Sequence, residues 1–215
     1  DAMRLPRLAQ ADADATQAGR NYPVEIFVAG DARLVLEGLL ARLPARLATD
    51  AAFLDSIGTA RQAGEAALRA MLGPYAAVAA AISTRVEQGR RPWVRDVTIS
   101  NSTFGNRYVK LAAPHLGVHA LGGGIGQGIA MGIGAGLAGA GKAITLVGDG
   151  AAQLSLGELA TAVESTTEAV FVLMNDRGYG VIRNIQDAQY GGRQHYASIL
   201  TPDFGLICEA MDMPH

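Results

Sequence analysis

The sequence predicts an α/β fold, a doubly wound parallel sheet with helices on both faces, and three observations carry that expectation. KAITLVG (142–148) and AVFVLMN (169–175) are nearly continuous apolar runs, as expected of strands covered on both sides. A segment with helical spacing of apolar residues lies between them, and strand-like and helix-like segments alternate from residue 74 onward. That alternation is the signature of right-handed crossovers in a parallel sheet.

Taken in order, VEIFVAGD (24–31) reads as a short strand and ARLVLEGLLARL (32–43) as an amphipathic helix. One such unit is too small to stand alone. Asp50 to Gly73 is Ala-rich and expected to be a helical connector, and Pro74 suits the first turn of a helix running to Gly89. PWVRDVTIS (92–100) is expected to be a strand ending in a polar loop, NSTFGNR. A helix over IGQGIAMGIGAGLAG (125–139) leads into the first apolar strand, and LSLGELATAVEST (154–166) forms the helix before the second.

Composition narrows the function. The 215 residues are 49% hydrophobic and 18% charged, so the chain can bury a core. Net charge is −2 and no basic cluster exceeds Arg90-Arg91, which argues against a nucleic-acid partner. The single cysteine, Cys208, excludes an internal disulfide and points to a reducing, cytoplasmic setting, with an inert buried thiol expected in LICEAM. No signal peptide is evident at the start. Residues 111–141 carry no Asp, Glu, Lys or Arg, and Gly124, Gly128, Gly132 and Gly136 repeat at small-xxx-small spacing. Gly122-Gly123-Gly124 is a poor helix interior, so close packing of a buried helix, not a membrane span, is the expectation.

Two phosphate-loop patterns fail on context. Gly134-Ala-Gly136-Leu-Ala-Gly139 fits G-x-G-x-x-G, but a helix precedes it and a strand follows, the reverse of a dinucleotide fold. Gly141-Lys142 is followed by Ala143, which offers no hydroxyl to a metal.

The segment 148–180 is different. Asp149 ends one strand and Asn175-Asp176 end the next, after a single crossover helix. Neighbouring parallel strands bring their C-terminal tips to one edge, where ligands bind. Gly148 and Gly150 allow close backbone approach, and the following helix offers free N–H groups to an anion. Oxygen donors without nearby His or Cys suit Mg²⁺ or Ca²⁺. The competing reading is a helix cap at Asp149 and a turn at Asn175-Asp176; spacing alone leaves both open.

GDG, an interval of about 25 residues, Asn175-Asp176 and then Gly178-Tyr179-Gly180 together resemble the signature of the thiamine-diphosphate-dependent enzymes, the family of 2-oxo acid decarboxylases, acetolactate synthase and pyruvate oxidase. RDVTISNSTFGNR and GGGIGQGIAMGIGAGLA match that family's other cofactor loops. The resemblance covers roughly 70–215 and, more faintly, 20–43. It implies thiamine diphosphate and Mg²⁺ as cofactors on an incomplete thiamine-diphosphate-binding fold. Carried over, Asp149 and Asp176 would bind the metal by side chains and Gly178 by its carbonyl. Asp176 stands where the family has Asn, which keeps an oxygen and adds charge. Asn101, Ser102, Gly150, Ala151 and Tyr179 would face the diphosphate, with Ala151 lacking the hydroxyl often found there. Gly123 would accept a bond from the aminopyrimidine, and Ile125 would hold the cofactor in its V shape. His119 is a candidate pocket residue with no assigned catalytic role. His115, Asn184 and Ile185 are weaker candidates, while His195 and His215 carry no signal.

The resemblance further implies a division into a remnant of a central domain (1–45), a connector (46–69) and the diphosphate-binding domain (70–215) truncated at its end. The glutamate that protonates the cofactor ring belongs to an N-terminal domain with no counterpart here. These residues alone are therefore expected to be inactive, and a dimer or tetramer is expected to complete the site. For the full-length protein the expectation is non-oxidative decarboxylation of a small-molecule 2-oxo acid. The alternatives are an acetolactate-synthase-type carboligase or a non-catalytic relative retaining the fold, with a flavin-dependent oxidase more remote.

Overall fold

The computed structural model describes residues 5, 7–46 and 48–215. Residues 1–4 and 6 of the expected central-domain remnant, and residue 47 of the expected connector, lie outside the described residues. The chain divides into two units, Asp1–Thr59 and Ala60–His215.

In the first unit, strand β1 (Ala9–Asp12) pairs in parallel with strand β2 (Ile26–Ala29), and helix α1 (Ala32–Leu40) follows. Asp31 caps α1, its carboxylate accepting from the Arg33 and Leu34 N–H groups. β2 and α1 lie where the sequence places them, whereas the short β1 carries no apolar signal. Helix α2 (Ala51–Met71) fills most of the expected connector.

The second unit continues with a 3₁₀ turn at Gly73–Tyr75 and helix α3 (Ala76–Gln88). Next come strands β3 (Trp93–Arg95) and β4 (Gly117–His119), helix α4 (Gly128–Leu137), strand β5 (Ala143–Gly148) and the short helices α5 (Asp149–Gln153) and α6 (Glu158–Glu164). Strand β6 (Ala169–Met174) and helices α7 (Gly180–Tyr190) and α8 (Phe204–Ala210) complete the described order. The sheet runs β4-β3-β5-β6, with every pairing parallel.

Alternation along the strands builds two cores. Ile144 and Leu146 of β5 and Val172 and Met174 of β6 face α3, with Ile82, Val86 and Phe104. Val147, Phe171 and Leu173 face the other way, onto Ile129, Ile133, Leu159 and Ala162. The sheet is therefore covered on both faces, as expected.

Helix α4 exists through packing and not through propensity. Its four glycines each cost roughly 1 kcal/mol relative to alanine. Burial of Ile129 and Ile133, 2% and 7% exposed, returns about 1.5–3 kcal/mol apiece. A Cβ on Gly132 would strike Thr145 Oγ1 and the Phe171 ring, and one on Gly136 would lie 2.8 Å from the Glu168 carbonyl oxygen. The glycine spacing is a seam against the sheet, and no single helix among the described residues is long and apolar enough to cross a membrane.

Four expectations need correction. The strand expected over 92–100 is named only at Trp93–Arg95, with a final rung from the Asp96 N–H to the Leu146 carbonyl at 2.9 Å. NSTFGNR is not an open loop: Asn101–Gly105 forms a π-helical turn, with Asn106 N–H bonding the Asn101 carbonyl at 2.9 Å. The buried Trp93 indole fixes that turn by donating to the Gly105 carbonyl at 3.0 Å. The helix expected over 154–166 is shorter, and a separate helix, α5, starts directly at Asp149. Cys208 is half-buried on α8, not enclosed.

Candidate cofactor site

The order β4-β3-β5-β6 reverses direction between β3 and β5. After β3 the chain turns to the α3 face, where Phe104 joins that core, and after β5 it turns to the opposite face, where Ala151 and Ala152 join the other. Diverging connections leave a crevice at the strand tips. A cavity of about 240 Å³ opens there, lined by Val97–Ile99 beyond β3, Gly148 at the end of β5 and Asp149–Ala151 after it, Asp176 and Gly178–Ile182 beyond β6, and Gly123 and Ile125 ahead of α4.

Asp149 lies at its floor, 1% exposed. The Gly178 N–H donates to its Oδ2 at 3.1 Å, and among the described residues no cation pairs with it. Burial pushes its carboxyl above the usual aspartate range; the Gly150 N–H opposes this, and the nearby Asp176 carboxylate pushes it further up. Asp176 is more exposed, and Arg183 of α7 contacts its carboxylate while donating to its carbonyl at 3.2 Å.

Both readings of this segment find a place in the structure. Asn175 does make a turn, its Oδ1 accepting from the Arg177 N–H at 3.1 Å. The N-cap of α5 is Gly148, which has no side chain to cap with, and Asp149 follows it as the first helical residue. Its carboxylate takes the Gly178 N–H and lines the cavity.

The glycines shape the floor. A Cβ on Gly150 would come within 2.6 Å of the Tyr179 ring, and one on Gly148 within 3.0 Å of Thr98 Oγ1. A Cβ on Gly180 would overlap the Asp176 carboxylate. Gly123, at φ +72, occupies the left-handed region that favours glycine.

Of the residues expected to hold cofactor or metal, Gly123, Ile125, Asp149, Gly150, Ala151, Asp176, Gly178 and Tyr179 line this one cavity. Asn101 and Ser102 do not. Asn101 is buried in the π-helical turn with its Nδ2 3.0 Å from His119 Nε2, and Ser102 is exposed, its N–H spent on the Thr98 carbonyl at 3.2 Å. A helical turn where a loop was expected rotates both away. His119 is also off the wall: Nδ1 meets the Ala120 carbonyl at 2.7 Å, so Nε2 accepts from Asn101. His115, Asn184 and Ile185 are exposed and outside the lining, as are His195 and His215. Sequence reasoning missed Thr98, Val181 and Ile182 in the wall and Arg183 beside Asp176. The apolar spacing of GVIRNIQ was the available signal for α7.

Residues 98–215 match the family described as thiamine pyrophosphate enzyme, C-terminal TPP binding domain. The chain belongs to this family. Among curated relatives, the probable 2-ketoarginine decarboxylase AruI of Pseudomonas aeruginosa is 32% identical over 217 residues, covering 96% of this chain and 38% of that protein. The acetolactate synthase large subunit of Haemophilus influenzae is 27% identical over 210 residues, 93% of this chain and 36% of its own length. Acetolactate synthase isozyme 3 large subunit of Escherichia coli is 36% identical over 69 residues, 31% of this chain and 12% of that one. The chain thus spans well under half the length of each.

The donor chemistry at this cavity suits the metal-bound thiamine pyrophosphate of this family. Among the described residues no group of three or more His, Cys, Asp or Glu gathers into a metal cage. Two carboxylates without a cage suit a hard cation that also keeps phosphate oxygens and water, as Mg²⁺ does. The glycine floor lets Thr98, Tyr179 and the Asp176 carboxylate close in on the strand tips.

Proposed function

We propose that the full-length protein is a thiamine-diphosphate- and Mg²⁺-dependent enzyme that decarboxylates a 2-oxo acid without net oxidation. The observation that carries this reading is Asp149, a buried carboxylate without a cation partner, facing Asp176 at the switch point of a parallel sheet. Asp149 and Asp176 would hold the metal with the Gly178 carbonyl. The N–H groups of Gly150 and Ala151 and the Tyr179 side chain would face the diphosphate, and Gly123 and Ile125 would form the opposite wall. Thiamine diphosphate supplies a nucleophilic carbon and an electron sink for loss of CO₂. The chain's own share is positioning, exclusion of water by Ile125, Val181 and Ile182, and compensation of diphosphate charge by backbone donors. Arg183 limits the repulsion between the two carboxylates by holding Asp176. Asn101 and His119 act behind the wall, bracing the turn beyond β3.

In this reading 1–45 is the end of a preceding domain, 46–69 a connector and 70–215 the diphosphate-binding domain. A further domain, from a second copy in a homo-oligomer, completes the site. The setting is cytoplasmic, in keeping with a lone cysteine. Two relatives named acetolactate synthase support a second reading, a carboligation that joins two oxo acids with loss of CO₂.

The test is calorimetric titration of the full-length protein with thiamine diphosphate and Mg²⁺, followed by product analysis on 2-oxo acids that include a guanidino side chain. An aldehyde-type product and CO₂ support the decarboxylase. A 2-hydroxy-2-alkyl oxo acid supports the carboligase, and absence of binding supports a non-catalytic relative.

A further inference from the structure

Asp96 sits one residue past β3 and is 0% exposed, outside the lining of the cavity. Its Oδ1 accepts from the Val97 N–H at 2.7 Å; its Oδ2 accepts from the Gly126 N–H at 3.2 Å and the Gly128 N–H at 2.6 Å. Among the described residues no cation pairs with it, so three backbone donors meet the needs of this buried carboxylate. Those donors come from two pieces of chain, the residue after Asp96 itself and the loop that runs into α4. Val97 opens the wall beyond β3, Gly126 follows Ile125 in the opposite wall, and Gly128 begins α4.

The surrounding residues are shaped to admit this carboxylate. A Cβ on Gly128 would stand 2.8 Å from both Asp96 Cβ and Oδ2, and Gly126 holds φ +91 to aim its N–H inward. Gln127 closes the same loop from outside, bonding the Leu121 N–H at 3.1 Å and the Leu121 and Gly124 carbonyls at 3.0 Å.

We propose that Asp96 is a positioning residue that fixes the distance between the Val97–Ile99 wall and the Gly123–Ile125 wall, and thereby sets cofactor affinity. This rests on the cofactor reading above. Groups behind a binding shell typically change affinity by about 10–100-fold when lost, because they hold the contacting atoms in place.

The test uses the full-length enzyme. Asp96→Asn removes one of the two acceptor oxygens, and Gly128→Ala displaces the carboxylate without removing it. Gly134→Ala, on the same helix with open space around it, is the control. Calorimetry with thiamine diphosphate and Mg²⁺ is expected to show affinity about tenfold weaker or more in the first two variants and unchanged in the control. The KM for thiamine diphosphate should rise with kcat at saturation nearly retained. A merely structural role would lower thermal stability and leave KM alone. Wild-type affinity in folded Asp96→Asn and Gly128→Ala overturns the proposal while leaving the site intact. Failure of the wild-type enzyme to bind overturns the cofactor reading beneath it. Should both variants fail to fold, residue-resolved hydrogen exchange on the wild-type protein decides: Gly126 and Gly128 amides as slow as those of β5 support the anchor, and loop-like exchange refutes it.

Discussion

Asp96 and Asp149 follow neighbouring strands of one sheet and are equally hidden, 0% and 1% exposed. Asp96 meets three backbone N–H groups at 2.6 to 3.2 Å, and its oxygens are spoken for. Asp149 accepts from the Gly178 N–H at 3.1 Å and is met by the Gly150 N–H, but a second carboxylate lies beside it, and burial pushes its carboxyl above the usual range. A buried acid whose donors are all supplied by the chain is an anchor. One that shares its burial with a second acid is the candidate for holding a cation. Burial does not separate the two; the partners do.

Substitution should pull them apart. Asp149→Asn in the full-length protein should weaken Mg²⁺-dependent binding of thiamine diphosphate by more than about a hundredfold, since it removes a ligand and not a support. Calorimetry checks this. The same change should leave metal-free stability equal or higher, because it relieves a desolvated charge. Asp96→Asn should do the reverse in stability, costing about 1–3 kcal/mol in urea unfolding by leaving a buried donor unmet. If both variants lost stability alike, the distinction would fail.

Much of this was legible in the sequence, for physical reasons. The apolar runs of β5 and β6 read as strands of a sheet flanked by helices, with β5 buried throughout and β6 partly open at Val170, and GDG with Asn175-Asp176 marks the tips. β4 was not legible because three residues carry no period. That Asn101 and Ser102 stand outside the cavity lining was not legible, because nothing in NSTFGNR announces a π-helical turn, which depends on a tertiary bond from Trp93. Asp96 was invisible as an anchor because its partners lie 30 and 32 residues away. Asp149 was visible because its glycine neighbours are adjacent.

A smaller effect separates glycines on α4. Gly132→Ala should cost about 1–3 kcal/mol by overpacking against Thr145 and Phe171. Gly134→Ala, with open space, should gain about 0.5–1 kcal/mol by propensity. Thermal unfolding of the pair reads the difference directly.

The smallest expected effect is a pH dependence. The folded-state pKa of Asp149 is raised, so its contribution to metal-free stability is full below the unfolded value and declines as pH rises through the folded one. Metal-free wild-type protein should therefore lose stability across that interval more steeply than Asp149→Asn. Saturating Mg²⁺ with thiamine diphosphate should remove the difference.

Anomalous diffraction from the full-length protein, crystallised with Mn²⁺ in place of Mg²⁺ and with thiamine diphosphate, bears most directly on the assignment. One Mn²⁺ peak is expected within coordinating distance, about 2.0–2.3 Å, of both the Asp149 and Asp176 carboxylates and of diphosphate oxygens. A cofactor bound elsewhere, or a cation that leaves Asp149 uncoordinated, would contradict it.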